Sequence, residues 1–407
     1  MNYKEAYEKL EKYGQLHVLK YYDELSEIEK GTLLKQIEEL DFGILKYSKE
    51  NTTNQKGEIS PLAAMQLPEI EEHRKRYTEI GVEEIRKGKV AAVLLAGGMG
   101  TRLGSDHPKG MFDIGLTRPV YIFQRILENM LDVVRQAGAW VHLFVMTSDK
   151  NHDMTVAFFE EKGYFGYSKD YVRFFIQDVV PASDYEGNVY MEEKWKIATS
   201  PNGNGGWFSS MNKCGLLNIV REDGIEWINV FAVDNVLQRI ADPCFVGATI
   251  DNGCVAGAKV VKKNSPDERV GALCLEDGRP SIVEYYELTD EMKMAKDADD
   301  NPAYDFGVIL NYIFKTQTLV EIMDRQLPLH VVEKQIPYMD DAGRHIEPDV
   351  PNGYKYETLV LDMIHQVDTC LAYEVEREKE FAPIKNATGI DSVETARELC
   401  KENGILL

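Results

Sequence analysis

Residues 90–95 read Val-Ala-Ala-Val-Leu-Leu, six apolar residues with no polar position among them. A strand with one wet face alternates apolar and polar side chains, so an unbroken run is expected to be covered on both faces. That is the setting of a parallel sheet, whose crossover connections lay helices on either side. The chain that follows keeps to this rule. "VYIFQRILENMLDVVRQ" has apolar residues at helical spacing and stops at Gly138, and "VHLFVMTS" is a second apolar strand. "DMTVAFFEEKG" reads as a further helix leading into "VRFFIQD". Later strands are expected at "WINVFAVD" (227–234), "CVAGAKVVKK" (254–263) and "VGALCLED" (270–277). Strand and helix alternating in this way predict an α/β fold, a mixed, mostly parallel sheet with helices on both faces.

The first 88 residues have a different texture. Tyr22, Leu25 and Ile28, and then Leu33, Ile37 and Leu40, recur at helical spacing among charged residues. Asp41-Phe42-Gly43 marks a break, Ser60-Pro61 suits a helix start, and residues 69–87 read as a surface helix. A helical N-terminal domain over 1–88, an α/β domain over 89–384 and a short C-terminal segment over 385–407 follow. "LTDEMKMAKDADDNP" reads as an exposed acidic connection, and "SVETARELCKEN" as one amphipathic helix.

The net charge of −22 argues against nucleic acid and anionic membranes as partners, whose binders show basic footprints. A small polyanion then needs a local cluster of cations or a divalent ion. Six cysteines without a Cys-x-x-Cys pair predict reduced, mostly core thiols rather than a disulfide framework or zinc site. The charged N-terminus shows no signal-peptide core, and no apolar run reaches the roughly 18 residues of a membrane span. A cytoplasmic location is expected, and no protein partner is implied.

The run at 90–95 ends in "AGGMGTRLGSDHPKG". A glycine turn after a buried strand offers backbone N–H groups to phosphate. The dinucleotide fingerprint needs a glycine where Leu103 stands. A Walker A loop needs a hydroxyl after its lysine, but Lys109 is followed by Gly110-Met111. What remains is a turn carrying two cations, Arg102 and Lys109, which suits a triphosphate that loses pyrophosphate. Asp234 ends the run "WINVFAVD", where ligands bind in α/β sheets, and its hard oxygen suits Mg²⁺.

"LLAGGMGTRLGSDHPKG" resembles the signature of the eukaryotic-type UDP-sugar pyrophosphorylases, most of all those acting on UDP-N-acetylhexosamines. "GQLHVLKYYDEL", "FFIQDVVPA", "SPNGNGG", "FAVDN", "EYYEL", "IPYMD", "PNGYKYE" and "FAPIKNA" resemble family segments in the same order. The resemblance implies a Rossmann-like, glycosyltransferase-A-like nucleotidyltransferase domain over 89–384. It implies the reaction of UTP with a sugar 1-phosphate, N-acetylglucosamine 1-phosphate favoured, to a UDP-sugar and pyrophosphate, with Mg²⁺. Arg102, Lys109 and Lys385 would face phosphates, and Asp234 would hold the metal. Leu95, Ala96, Gly97, Gly98, Gln177 and Gly203 would bind the nucleotide. Asn204, Gly271, Glu284, Asp305 and Lys355 would line the sugar side, Lys355 as a further phosphate-binding lysine.

Two departures stand out. The family's Asn-Ala/Ser-Gly-Asn motif reads here Asp305-Phe306-Gly307-Val308. An acceptor-only carboxylate replaces an amide, so glucose or galactose 1-phosphate becomes the alternative substrate. Only about twenty residues follow Lys385, where the family usually has a larger C-terminal domain. Two remoter readings are an NAD-dependent oxidoreductase, which Leu103 disfavours, and a non-catalytic nucleotide sensor. The second leaves Arg102, Lys109, Asp234 and Lys385 together without purpose.

Overall fold

Ten strands form the principal sheet of the computed structural model, which describes residues 1–48, 57–297, 300–323, 325 and 327–407. They are β1 (Ile59–Pro61), β2 (Val90–Leu95), β3 (His142–Thr147), β4 (Val172–Ile176), β5 (Trp227–Ala232), β6 (Ala256–Lys262), β7 (Ala272–Glu276), β8 (Arg279–Val283), β9 (Phe306–Lys315) and β10 (Cys370–Glu374). The path runs β1-β7-β9-β5-β2-β3-β4, with β6 between β9 and β10 and β8 hydrogen-bonded to β7. β2 pairs in parallel with β3 and β5, and β3 with β4, while β9 runs antiparallel to both β5 and β6. The sheet is mixed and mostly parallel, as expected. All six side chains of β2 are buried, which is what the unbroken apolar run requires.

The chain folds as two compact units. The larger takes Lys56–Gln177, Trp207–Gln326 and Val360–Leu407 and contains the whole principal sheet. The smaller takes Met1–Gln55, Asp178–Gly206 and Leu327–Leu359. The expected 1–88 domain is therefore divided. Helix Leu67–Arg86 packs on helix Pro243–Asp251 within the larger unit, at a close crossing of two glycines. A Cβ at Gly81 would lie 1.9 Å from the Pro243 carbonyl oxygen, and one at Gly247 would lie 1.8 Å from that of Tyr77. No larger side chain fits either place. Conversely, 178–206 and 327–359, expected inside the α/β domain, join the smaller unit.

The smaller unit's sheet orders His330–Lys334, Gly353–Glu357 and Ser183–Asp184. Its core gathers Leu10, Leu33, Ile37, Phe42, Ile197 and Tyr356, and the Tyr356 hydroxyl meets Ser183 Oγ at 2.6 Å. Helices Tyr3–Lys12 and Glu27–Glu39 both begin with capping boxes, Asn2 with Glu5 and Ser26 with Glu29.

Three local expectations need correction. Tyr22, Leu25 and Ile28 do not share a helical face: residues Tyr22–Glu24 form a 3₁₀ turn, Ser26 caps the next helix, and Ile28 is exposed. Ser60-Pro61 begins no helix. It lies on the edge strand β1, where a proline without an N–H is tolerated, and the helix starts at Leu67 with Pro68 in its first turn. The segment 288–302 is more ordered than a plain connection, with Thr289 capping a short helix Asp290–Met294. Ala298 and Asp299 of that segment lie outside the described residues.

The expected amphipathic helix at the C-terminal side is present as Val393–Glu402, capped by Ser392 and burying Val393, Ala396 and Cys400. It packs back on the sheet domain: Arg397 Nε donates to the Ile114 carbonyl at 2.9 Å, and Thr117 Oγ1 to that of Leu407 at 2.7 Å. All six cysteines are free thiols, and four are buried.

Candidate active site

Because β2, β3, β4 and β5 are parallel, the loops leaving their carboxyl ends meet at one edge of the sheet. Leu95 closes β2 and is buried, and the Ala96 N–H donates to the Met146 carbonyl at 2.8 Å on neighbouring β3. The glycine turn then folds on itself. Gly100 N–H donates to the His107 carbonyl at 2.8 Å, and Lys109 N–H to that of Gly98 at 3.1 Å. A Cβ at Gly97 would sit 2.8 Å from Gln177 Oε1, so the glycine lets the amide at the end of β4 close over the turn. A Cβ at Gly98 would meet no described protein atom within 4 Å. Packing inside the protein does not demand that glycine; its face is left open.

The two rejected loop types fail in the structure for steric reasons. Leu103, in the place of the fingerprint glycine, is buried in the core. Gly110, in the place of the Walker hydroxyl, would put a Cβ 2.3 Å from the Phe123 ring. Arg102 stands exposed in the 3₁₀ turn Thr101–Leu103.

Lys109 and Asp234 come together because β2 and β5 are adjacent. Their charged atoms, Nζ and Oδ2, lie 3.6 Å apart, and both side chains are largely shielded. Burial lowers the Lys109 pKa from its ordinary value; Asp234 opposes the shift, and the nearby charges of Lys385 and Arg102 add to it. Three cations, with Asp234 and Asp391 as their carboxylates, thus share this corner, an excess of positive charge in an acidic chain. Lys385 reaches it because the Ile384 N–H donates to the Asp234 carbonyl at 2.8 Å, and its ammonium also bonds Asp391 at 2.9 Å. Among the described residues no group of three or more His, Cys, Asp or Glu side chains is arranged to hold a metal. One carboxylate beside a cationic corner is a donor set that fits Mg²⁺, which takes one or two carboxylates and completes its shell with phosphates and water.

Gly271, Glu284 and Asp305 gather at the same edge, since β9 is antiparallel to β5 and its start lies beyond the end of β5. Ala272 pairs with Gly307 and with Val283, which puts Gly271 and Glu284 side by side. The Gly271 carbonyl accepts from Val308 N–H at 2.9 Å, and a Cβ there would lie 2.8 Å from Ile282 Cγ2. Partial burial raises the Asp305 pKa above the usual carboxylate range, against the opposing pull of Lys262 and Lys263. Leu310, further along β9, holds a positive φ of 53° where the pairing with β6 shifts register.

Gly203, Asn204 and Lys355 belong to the smaller unit. Gly203 has φ +86°, and a Cβ there would strike the Thr358 carbonyl oxygen at 2.1 Å. Gly205 N–H donates to that same carbonyl at 2.9 Å, stitching the "PNGNGG" loop to the strand that carries Lys355.

Sequence reasoning missed the residues that hold the turn. Asn151 Nδ2 donates to the carbonyls of Ala96 at 2.9 Å and Gly98 at 3.3 Å, while its Oδ1 accepts from Ser148 N–H. Ser148 Oγ donates to the Gly97 carbonyl at 2.8 Å. Asn235 Oδ1 accepts from Ala382 N–H at 2.9 Å, and its Nδ2 donates to the Glu380 carbonyl at 2.7 Å. Ser148 follows β3 directly, and Asn151 and Asn235 lie further along the loops beyond β3 and β5, where loops of a parallel sheet converge.

The family described as UTP–glucose-1-phosphate uridylyltransferase matches residues 42–402. A human UDP-N-acetylhexosamine pyrophosphorylase-like protein 1 is 35% identical, covering 96% of this chain and 82% of its own length. The UDP-N-acetylglucosamine pyrophosphorylase of Saccharomyces cerevisiae is 34% identical, covering 94% of this chain and 86% of its own. The crystal structure of the uridine diphosphate N-acetylglucosamine pyrophosphorylase from Trypanosoma brucei superposes with a TM-score of 0.83 at 28% identity, covering 96% of this chain and 83% of that one.

Proposed function

The chain belongs to the UTP–glucose-1-phosphate uridylyltransferase family, and from that premise we propose that the sugar it activates is N-acetylglucosamine 1-phosphate. The reaction joins UTP and a sugar 1-phosphate into a UDP-sugar and releases pyrophosphate. A phosphate oxygen of the sugar forms a bond to the α-phosphorus of UTP as the bond to the departing pyrophosphate breaks. No protein nucleophile is required, so the protein contributes position and charge.

The observation that carries this reading is the meeting of Lys109 with Asp234, 3.6 Å apart, at the mouth of the glycine turn. Lys109, Arg102 and Lys385 would stabilise the charge that develops on the departing pyrophosphate. Gln177, over Gly97, would accept and donate at the uracil edge, with Leu95, Ala96, Gly98 and Gly203 on the nucleotide side. Asp234 would hold Mg²⁺, which when bound neutralises phosphate charge. Gly271, Glu284, Asp305, Asn204 and Lys355 would serve the sugar 1-phosphate. The same reading puts the enzyme in the cytoplasm, where its six free cysteines would stay reduced. No helix among the described residues is long and apolar enough to cross a membrane.

One observation favours a second sugar. Asp305 can only accept when ionised, and an N-acetyl carbonyl needs a donor, so glucose or galactose 1-phosphate is the competing substrate. Pyrophosphate release with UTP and each of four sugar 1-phosphates, those of N-acetylglucosamine, N-acetylgalactosamine, glucose and galactose, decides between them. N-acetylglucosamine 1-phosphate should give the highest kcat/KM; a lead for glucose or galactose overturns the proposal. Asp305→Asn should shift the ranking further toward the N-acetylated sugars.

A further inference from the structure

Lys385 sits in the corner with Lys109 at the end of a segment whose own anchoring lies elsewhere. Five residues earlier, Glu380 is bonded to Lys259, a wholly buried lysine in the middle of β6. The Lys259 ammonium meets Glu380 Oε2 at 2.5 Å, Asp242 Oδ2 at 3.2 Å and the Arg239 carbonyl at 3.0 Å. Asp242 in turn caps helix Pro243–Asp251, accepting from Cys244 N–H at 3.1 Å. One ammonium thus joins three separate stretches of chain. From Glu380 onward the backbone is laid along the end of β5 by Asn235, and it reaches Lys385 two residues after Ala382 and Pro383 have paired there.

Apolar packing alone does not fix this segment. Its approach, Tyr373 to Glu380, borders a cavity of about 740 Å³ that Arg74, Asp132 and Arg239 also line. On that side the segment has no packing partner; Asn235, the Arg239 N–H and the burial of Phe381, Ala382 and Ile384 hold the rest of it, and the Lys259–Glu380 contact fixes its start. Buried ion pairs are weak sources of net stability and are kept, where a role is established, for the conformation they specify.

We propose that Lys259 and Glu380 are positioning residues for Lys385: their buried ion pair sets the 380–384 segment so that the Lys385 ammonium arrives beside Lys109 and Asp234. This rests on the reading of Lys385 as a phosphate-facing group. The test is a double-mutant cycle in the intact protein with Glu380→Gln, Lys385→Ala and both together, read as pyrophosphate release under steady state. Glu380→Gln should lower kcat roughly tenfold and leave KM for the sugar 1-phosphate within about twofold. The double variant should be no slower than Lys385→Ala alone, within about twofold. Independent, multiplying losses overturn the proposal, as does a Glu380→Gln variant with wild-type kcat. If Lys385→Ala itself keeps wild-type turnover, the reading of Lys385 fails and the proposal falls with it. Glu380→Asp keeps the charge and shortens the reach, so it serves the same cycle should Glu380→Gln melt below the assay temperature.

Discussion

Lys109 and Lys259 are both shielded lysines of the larger unit, and their surroundings are opposites. Lys259 is closed in completely, with two carboxylates and a carbonyl within 3.2 Å of its ammonium. Lys109 has one carboxylate at 3.6 Å, two further cations nearby, and a pKa pushed down by burial. A charge that the protein has satisfied in full is part of the framework. A charge left short of partners, at the edge where strand ends converge, is held for something that arrives from solution. On the proposed reading, the contrast separates an architectural lysine from one that faces substrate, with no reference to motif.

That contrast can be broken by experiment. Lys259→Met removes the ammonium that Asp242 and Glu380 share and should cost about 3–5 kcal/mol of stability, measured by urea unfolding. Lys109→Met should leave the melting temperature unchanged or raise it, because it removes a poorly compensated buried charge. If both variants lose stability equally, the distinction is wrong. Turnover should reverse the order: Lys109→Ala should reduce kcat about 10²–10³-fold, roughly what the loss of one charge-stabilising donor costs elsewhere. Unchanged pyrophosphate release would sink the assignment of this corner to catalysis.

Asn151→Ala sharpens the picture of the turn itself. It removes the donors to Ala96 and Gly98 without touching any proposed phosphate ligand. A loss of about tenfold in kcat/KM for UTP, some 1–2 kcal/mol, is expected from the orphaned Ala96 carbonyl and Ser148 N–H and a looser turn. Equal behaviour of mutant and wild type would show that the turn holds its shape unaided. The smallest effect concerns Asp305. Its pKa is raised on folding, so between the ordinary 3.8 and the raised value the folded chain binds more protons than the unfolded one. Stability therefore falls as pH rises through that window. Asp305→Asn should be slightly more stable than wild type at neutral pH, with the difference vanishing below 3.8 in melting curves taken across pH.

The parallel strands were legible because each is a run of buried residues, and the glycine turn because its side chains are constrained locally. Arg102, Lys109 and Asp234 could be named from the chain because each lies in the loop that leaves such a strand. The division into units was not legible. Helix Leu67–Arg86 looks like the helices before it, and neither the two-glycine crossing between Gly81 and Gly247 nor the bond of its Leu67 N–H to Glu374 is announced by its pattern. Nor does "TSDKN" announce that Asn151 will reach back to Ala96, a contact 55 residues away in sequence. Lys259 offered still less, as one charge inside an apolar strand. Its partners are 17 and 121 residues distant.

The helix Val393–Glu402 and Leu407 grip the turn at 114–117, only a few residues beyond Lys109. The ribosome makes that turn some 280 residues before its clamp. A nascent chain can therefore build β2 and its glycine turn early yet lacks both Lys385 and the grip on 114–117 until the segment beyond the last strand has emerged. On the proposed reading, competence waits on Lys385 and on that late grip, and a cut near residue 393 would be felt first at the loop that follows Lys109.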